Sequence, residues 1–506
     1  MRTHSGRAIA WLSGIALALG LVARIAWVDR PADWRSLNGW READYAQMAR
    51  AFYREDANPL HPRVDWRGTS SGLVESELPI LPWTSGMLYR ALGHPDERVL
   101  RALAALLSVC ALVAFWQLAR RALPAPAAQA AAAVFAANGM TIYLATAIQP
   151  EAALLFAEIC AALAIFHYSR TGSTRALFGA GALVALATLA KASALYLGPL
   201  LGWFVLRRLG RGAFRTAAVW LAAVVAIAPP LLWYAWGRAI FETTGLSLGI
   251  SNETHGLSLP VLLHPSDFVL GNLLLEARDV FSFAGIPLAA LALRAGWDEL
   301  EFPLVGYAAA LLFYVAAADT TGESWAWYYR VLSLPAGCLL IGLGVATLMR
   351  DRKGWAPAAA VALVIATLAC GVLRAAALIG ERDRAPRRAQ RFDCYRQLGA
   401  LLPPGALLVV RGGRSVDWHG HPVAYNASEP FHWMDRRGWN YASDQFSLEH
   451  VASFAERGAT HWLALPDDFV ELGMRERASA RFVLAGACAD YSLFELTKRA
   501  SQPTPE

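Results

Sequence analysis

Four carboxylates, Glu42, Asp44, Glu75 and Glu77, lie within residues 29–97, the segment between the first two long apolar runs. They belong to two motifs, WREADYAQMAR and VESELPILPW. Carboxylates are costly to hold beside a membrane and are usually retained there for a function. A positioned carboxylate can accept a proton, and carboxylate oxygens can hold a divalent metal ion. The two motifs therefore predict chemistry at the outer surface of a bilayer.

The first motif has the periodicity of a helix. Tyr45, Ala49 and Phe52 recur at helical spacing, which predicts an amphipathic helix lying on the membrane surface. Glu42 and Asp44 are two positions apart and therefore project from different faces of that helix. Only one of these two carboxylates is expected to face a shared site.

The second motif is interrupted by prolines. Pro79 and Pro82 are expected to delay helix formation and to keep the preceding backbone extended. In an extended segment Glu75 and Glu77 lie on the same side, because successive side chains alternate. A solvated loop charge is the alternative for each carboxylate taken alone. Their occurrence together in one membrane-apposed loop favours the functional interpretation.

The composition is that of a polytopic membrane protein. Of the 506 residues, 56% are hydrophobic and 17% are charged, and several apolar runs are too long for the helices of a soluble protein. A helix needs about 20 residues to cross ~30 Å of hydrocarbon. Hydropathy predicts about eleven spans, at residues 8–28, 98–118, 127–147, 150–168, 175–190, 193–206, 214–235, 277–293, 302–318, 331–349 and 356–379.

Basic residues beside the spans predict the orientation of the chain. Arginines cluster on alternate connections, which are therefore expected to be cytoplasmic. The segments 29–97, 236–276 and 319–330, and all residues after 380, then face outward. This topology accounts for the net charge of +6 without nucleic-acid binding. The first span lacks a convincing cleavage site and is expected to remain uncleaved. We therefore expect a multi-pass protein of the bacterial inner membrane.

Two further charged residues are expected at the same outer face. Glu151 follows Pro150 at the start of a span, where a carboxylate complements the positive helix end and simple capping is the alternative. Lys191 lies between two apolar runs, so its amine needs a counter-charge or must reach the membrane surface. A lipid phosphate is a fitting partner for this amine.

The loop GESWAWYYRVLSLP places aromatic residues and a cation at the mouth of a span. Tyr328 and Tyr329 are interface anchors on the ordinary interpretation. The adjacent Arg330 is able to clamp a phosphate through paired hydrogen bonds. These three residues are therefore candidates for substrate binding.

Residues 385–506 are predicted to form a small soluble α/β domain, and residues 1–384 the transmembrane domain. ALLVVRGG and THWLALPDD are short apolar runs that end at turn residues, as buried strands do. SLEHVASFAERGA between them has helical periodicity and stops at Gly458, and YSLFELTK predicts a final strand. FHWMDRRGWNYAS either packs inside the domain or forms an aromatic surface for a sugar. In a periplasmic, oxidising compartment, Cys394 and Cys488 are able to form a disulfide.

Taken together, these residues resemble a known family. The acidic outward first loop, the PE at the head of a later span, the Lys between spans and the outward C-terminal domain are similar to the GT-C superfamily of glycosyltransferases. More narrowly, the chain resembles bacterial glycosyltransferase family 39 proteins, relatives of protein O-mannosyltransferases and of the lipid A aminoarabinose transferase. WREADYAQMARAFYRE, NPLHPRVDWRG and VESELPILPW are the most specific part of this resemblance, which covers residues 8–379.

The resemblance implies transfer of a sugar from a polyprenyl-phosphate donor to a lipid, glycan or protein acceptor, with an acidic residue of the first loop as base. Aligning YAQMAR with the aminoarabinose branch places Glu42 on that branch's Glu and Arg41 where its Asp stands. Asp44 is one helical turn further on the face of position 41, so we expect it to replace that Asp, with Glu42 as the alternative base. Glu77 takes the place of a Lys in that branch, so a sugar other than aminoarabinose is expected.

The expected mechanism is an inverting displacement in which Asp44 accepts the proton of the acceptor hydroxyl. Lys191 and Arg330 would stabilise the leaving polyprenyl phosphate. Glu75 or Glu77 would orient hydroxyl groups or hold a divalent metal ion; the sequence leaves these two roles open.

Two other classes of function compete with this interpretation. A lipid-linked sugar flippase or transporter would be expected to carry charges at mid-bilayer and repeated broken helices. A surface polysaccharide ligase or polymerase would also use lipid-linked sugars. The histidines His255, His264 and His421 are scattered singly, so no spacing of His and Cys predicts a zinc site.

Overall fold

The structure, a computed structural model, describes residues 4–26, 28, 39–322, 324–350, 354–383, 386–417 and 420–496. The chain divides into two compact units. The first, here called the membrane unit, comprises Met1–Pro31, Arg98–Ala235 and His255–Gly380. The second, the polar unit, comprises Ala32–Glu97, Trp236–Thr254 and Glu381–Glu506, so the acidic first loop belongs with the C-terminal residues rather than with the spans.

Long apolar helices dominate the membrane unit. Six of the helices in the described ranges are long and apolar enough to cross a bilayer: Ser5–Ile25, Glu97–Ala122, Glu151–Thr171, Ala217–Thr244, Trp297–Ala316 and Ala356–Gly380. Three shorter apolar helices accompany them: Ala125–Ala137, Thr174–Ala190 and Leu334–Arg350. The predicted span 193–206 is a 3-10 turn, Ala192–Tyr196, followed by helix Leu197–Leu209. The chain is therefore a multi-pass membrane protein, as the hydropathy predicts.

The helix surfaces are apolar where they leave the protein core. Leu231 and Leu232 are 64% and 71% exposed, and Leu373 is 69% exposed. Large exposed apolar side chains of this kind are unfavourable in water and favourable in contact with lipid. Pro229 and Pro230 lie inside the helix Ala217–Thr244, a position that membrane helices tolerate better than soluble ones.

The predicted span 127–147 is interrupted at Asn138. Helix Ala125–Ala137 ends there, and the Asn138 side chain accepts hydrogen bonds from the amides of Met140 and Thr141, at 3.0 and 3.3 Å, to begin helix Gly139–Leu144. The buried Arg24 guanidinium donates to the Ala136 carbonyl at 2.8 Å. It thereby gives a hydrogen bond to a carbonyl at the C-terminal end of helix Ala125–Ala137. Hydropathy does not detect this break, because a single Asn barely changes a window of apolar residues.

The predicted span 277–293 is not a continuous helix. A π-helical turn, Glu276–Val280, is followed by Ser282 and Phe283 with φ of 49° and 52°, and only then by helix Ile286–Ala292. Left-handed backbone at residues other than glycine is strained and requires support from its surroundings. The Phe283 amide donates to the Ala277 carbonyl at 2.6 Å within this turn.

Two helices of the first loop lie in the polar unit, Gly39–Arg54 and Ile80–Leu92. The helix Gly39–Arg54 is buried on nearly all sides, including Glu42, Asp44 and Gln47. It is therefore not the amphipathic surface helix that the periodicity predicts. Its polar side chains are covered by protein, notably by helix Ser428–Met434 of the C-terminal region, to which Gln47 donates a 2.7 Å hydrogen bond.

The prolines of the second motif also act differently from the prediction. Helix Ile80–Leu92 begins directly after Pro79, and the Trp83 amide donates to the Pro79 carbonyl at 2.8 Å. Pro82 therefore lies in the first helical turn, where the missing N–H costs no intrahelical hydrogen bond. The backbone is extended only up to Leu78.

The C-terminal region contains a five-stranded mixed sheet in the order β2-β1-β3-β5-β4. The strands are β1 Leu407–Arg411, β2 Arg437–Tyr441, β3 His461–Ala464, β4 Val483–Cys488 and β5 Tyr491–Glu495. β1 pairs in parallel with β2 and β3, and β5 pairs antiparallel with β3 and β4. The predicted strands in ALLVVRGG, THWLALPDD and YSLFELTK are thus confirmed, whereas β2 and β4 are not anticipated by the sequence patterns.

Helices cover this sheet: Pro386–Ala400, Ser428–Met434, Leu448–Ser453 and Met474–Arg481. Cys394 and Cys488 form the predicted disulfide, which joins the first of these helices to β4. In FHWMDRRGWNYAS, Phe431, Met434 and Tyr441 are at most 3% exposed. Packing, rather than a sugar-binding surface, is therefore the main role of that segment.

Candidate active site

Asp44 is a buried carboxylate of the first loop that accepts hydrogen bonds from three side chains. It is 1% exposed. Its Oδ1 accepts from the Trp66 indole at 2.8 Å and from the Ser428 hydroxyl, and its Oδ2 accepts from the Asn426 amide at 3.1 Å. A carboxylate has about four acceptor positions, so these three hydrogen bonds leave one for a further donor.

Burial changes the acidity of this group. Loss of solvation raises the pKa of Asp44 from 3.8 to about 7, although the hydrogen bonds from Ser428, Trp66 and Asn426 and the charge of Arg41 oppose the change. A base is most effective when its pKa lies near the working pH. Asp44 is therefore a carboxyl group that can take up and release a proton near neutrality.

Glu42 and Glu77 lie close by in the sequence but have other surroundings. Glu42 is 1% exposed on the same helix as Asp44. Glu77, 7% exposed, accepts from Arg41 at 3.3 Å and from the Tyr45 hydroxyl at 3.3 Å. Arg41 and Glu77 thus form an ion pair. In the alignment with the aminoarabinose branch these two positions correspond to an Asp and a Lys, so the charges of the two positions are exchanged.

Glu75 contacts a different segment of the chain, around Ser251. Its two carboxylate oxygens accept from the hydroxyl and the amide of Ser251, at 2.8 and 3.0 Å. Its own amide donates to the Leu246 carbonyl at 3.0 Å. Although Glu75 and Glu77 are only two positions apart, their side chains contact different residues in the described part of the chain: Ser251 for Glu75, and Arg41 and Tyr45 for Glu77. Glu75 holds the segment 246–251 against the first loop.

In the membrane unit, Lys191 finds a protein counter-charge. Its Nζ lies 2.6 Å from Oε1 of Glu151, the first residue of helix Glu151–Thr171. The same ammonium lies 4.4 and 4.3 Å from the ring centroids of Tyr328 and Tyr329, a cation–π geometry. Four of the residues predicted for substrate binding are therefore brought together, and Glu151, in the first turn of its helix, is the ion-pair partner of Lys191.

Arg330 is not part of that cluster. It is fully buried, lies 3.5 Å from Glu276, donates to the Thr321 carbonyl at 3.0 Å and covers the Tyr314 ring at 4.0 Å. Glu276 also accepts from Tyr307 at 2.8 Å. These contacts tie Arg330 to other parts of the protein, and it lies in the segment Ser324–Val331, which includes both tyrosines. Its Nε is buried without a hydrogen-bond partner in the described ranges, and its binding of a phosphate stays a prediction.

Several polar residues of these sites are absent from the predicted set. Asn426, Ser428 and Trp66 have no feature in the sequence that points to Asp44, since Ser428 is 384 positions away. Glu276 and Glu158, by contrast, are carboxylates within apolar stretches, a pattern that signals function or a buried partner. Across the described ranges, no group of three or more His, Cys, Asp or Glu is arranged to hold a metal ion.

Comparisons with known proteins agree on the fold. Residues 76–236 match the family model for dolichyl-phosphate-mannose-protein mannosyltransferase. The crystal structure of ArnT from Cupriavidus metallidurans in the apo state is similar over 96% of this chain and 97% of its own, with a TM-score of 0.60 and 16% identity. The structure of that protein bound to undecaprenyl phosphate is similar over 97% of this chain and 99% of its own, with a TM-score of 0.59 and 16% identity. The search of curated proteins finds no significant match.

The similarity to ArnT extends over both units of the chain, and the family-model match, which begins at residue 76, includes Glu77, Glu151 and Lys191. Both findings agree with the resemblance that the motifs of the first loop indicate. This protein therefore has the fold of the GT-C superfamily of membrane glycosyltransferases.

Proposed function

We propose that this protein transfers a sugar from a polyprenyl-phosphate donor to a lipid, glycan or protein acceptor at the outer face of the inner membrane. The observation that carries the proposal is the GT-C fold, shared over 97% of the chain with an ArnT structure that contains undecaprenyl phosphate. The Cys394–Cys488 disulfide supports an oxidising compartment for the C-terminal domain.

In the proposed reaction the acceptor hydroxyl attacks the anomeric carbon of the donor. The carbon–oxygen bond to the polyprenyl phosphate breaks as the new glycosidic bond forms, which inverts the anomeric configuration. The hydroxyl proton passes to Asp44, whose pKa of about 7 suits this role near neutral pH. The phosphate leaves as an anion and requires no proton.

Lys191 is the cation proposed for the leaving phosphate. Its ion pair with Glu151 and its contacts with Tyr328 and Tyr329 hold the ammonium in one place, so little reorganisation is needed when negative charge develops. Arg330 supports this arrangement indirectly, since it fixes the segment that carries the tyrosines.

The remaining acidic residues have secondary proposed roles. Glu42 is the alternative base, because it is buried on the same helix as Asp44. Glu77 is proposed to orient hydroxyl groups through its network with Tyr45 and Arg41. Glu75, whose two oxygens accept from Ser251, is proposed to support the site by holding a loop.

The test is release of polyprenyl phosphate by the purified protein in lipid, supplied with radiolabelled polyprenyl-phosphate sugars. Asp44→Asn should reduce turnover by about 10²- to 10⁴-fold, the range of a general base. Asp468→Asn is the matched control, since Asp468 is also a buried carboxyl, 2% exposed, whose raised pKa is about 6. Equal turnover in wild type and Asp44→Asn would mean that Glu42, rather than Asp44, acts as the general base. Movement of intact donor between leaflets without release would favour the flippase class instead.

A further inference from the structure

A cavity of about 360 Å³ opens in the polar unit beside the first-loop helix. Arg50 and Arg54 of that helix line one side, and Arg436 and Arg437 at the start of β2 line another. Glu55, Asp65 and Asp435 complete its charged lining. Four guanidinium groups therefore face three carboxylates.

Asp65 and Asp435, two of the carboxylates that line this cavity, form ion pairs with its arginines. Asp65 lies 2.6 Å from Arg50, and Asp435 lies 3.1 Å from Arg50 and 2.7 Å from Arg54. These arginines lower the pKa of Asp435, although burial opposes the change. Both carboxylates therefore already have arginine partners within the protein.

Glu55 is shared among still more cations. It accepts from Arg437 at 2.8 Å, and also from Arg67 at 2.5 Å and Arg63 at 3.4 Å, neither of which lines the cavity. Arginine hydrogen bonds lower the pKa of Glu55 against the effect of partial burial. One carboxylate thus faces three guanidinium groups, which leaves positive charge in excess around the cavity.

Arg436 has no carboxylate partner among the residues that the structure describes. It donates to the carbonyls of Leu402 at 2.7 Å and Asp435 at 2.9 Å, and its Nε is buried without a hydrogen-bond partner in the described ranges. A planar guanidinium offers five donors and matches the oxygens of a phosphate. Arg54 and Arg437 are 45% and 51% exposed, so both can turn towards a ligand.

We propose that this cavity binds a phosphomonoester group of the acceptor. The inference rests on the proposed function and names the acceptor class for the same site. Two of the four arginines, Arg50 and Arg54, lie on the same helix as Asp44. They follow Asp44 by about 9 and 15 Å of rise along the helix axis. Trp66, which donates to Asp44, directly follows Asp65 of the cavity. The cavity therefore adjoins the helix that carries the proposed base, one to three turns further along it.

Binding is measured on the full-length protein in neutral detergent, at constant ionic strength, without donor and therefore without turnover. The probes are glucose 6-phosphate, dihexanoyl phosphatidic acid and, as the uncharged control, glucose. Both phosphomonoesters should bind at least tenfold more tightly than glucose. Tighter binding of the sugar phosphate identifies a saccharide acceptor, and tighter binding of the lipid phosphate identifies a lipid headgroup.

The variant Arg54→Gln/Arg437→Gln should weaken phosphomonoester binding at least tenfold, because two charge-assisted contacts are removed. Arg477→Gln is the matched control, since Arg477 is 53% exposed and pairs with Glu471 rather than lining the cavity. Phosphate binding no tighter than that of glucose, unchanged binding in the double variant, or an equal loss in Arg477→Gln would overturn the proposal. Because no turnover is involved, failure of the transferase proposal would leave this result interpretable.

Discussion

Removing the Ser428 hydroxyl should shift the pH dependence of transfer to higher pH. Ser428 donates to Oδ1 of Asp44, and this hydrogen bond lowers the pKa that burial has raised to about 7. In Ser428→Ala the ionised carboxylate loses a stabilising donor, so the pKa of Asp44 should rise further. Since the base must be ionised to accept a proton, activity should require a higher pH.

The size of the effect follows from the energy of the contact. A hydrogen bond to a charged group contributes about 1.5–3 kcal/mol, and one pKa unit corresponds to 1.36 kcal/mol, so the pKa should rise by about one to two. With a pKa of about 7, half of the Asp44 carboxyls are ionised at pH 7. In Ser428→Ala this fraction falls to between about 9% and 1%, which predicts a roughly 5- to 50-fold lower kcat/KM at pH 7.

The assay is release of polyprenyl phosphate between pH 6 and 9.5, with kcat/KM fitted to a single ionisation. The wild-type midpoint is expected near 7, and the Ser428→Ala rate should recover at the alkaline end. Ser447→Ala is the control, because that hydroxyl caps helix Leu448–Ser453. A loss of equal size at every pH, or a midpoint that stays in place, would refute the role of Asp44 as the titrating base.

Three further predictions concern stability. The folded pKa of Asp44 exceeds 3.8, so its ionisation destabilises the fold increasingly as pH rises towards 7. Relative to wild type, Asp44→Asn should therefore gain about 3 kcal/mol more stability at pH 8 than at pH 4.5, seen as a higher relative Tm at pH 8. A lower relative Tm at pH 8 would contradict this. Replacing Cys394 and Cys488 by Ser should cost about 2–4 kcal/mol, seen as a lower Tm that reductant no longer changes; an unchanged Tm would show that the bond is dispensable. Lys191→Met should lower the free energy of unfolding by about 3–5 kcal/mol, because it leaves Glu151 charged and buried. The double variant Lys191→Met/Glu151→Gln should regain the wild-type Tm but not turnover. Recovery of both Tm and turnover would remove Lys191 from the mechanism.

Much of the fold follows from local patterns. The long helices arise where about 20 apolar residues occur together, because such a segment must satisfy its backbone internally in lipid. The strands around Val409, Trp462 and Phe494 arise from short apolar runs bounded by turns, and they pair in one sheet. The break at Asn138 escapes the same reasoning, because it involves contacts from elsewhere in the chain. The left-handed backbone at Ser282 escapes it because hydropathy carries no information on backbone conformation.

The amino-acid sequence by itself determined the membrane class, the positions of the main spans, three strands of the α/β domain and the acidic residues of the first loop as candidates. Only the tertiary structure decided that the two cysteines pair, that the acids are buried and what each charge contacts: Ser428 at Asp44, Glu151 at Lys191 and Glu276 at Arg330. The physical reason is that hydrophobic periodicity is read from neighbouring residues, whereas the partner of a buried polar group is set by packing between segments far apart in the chain. A sequence shows that a buried charge needs a partner, and the folded chain selects which one.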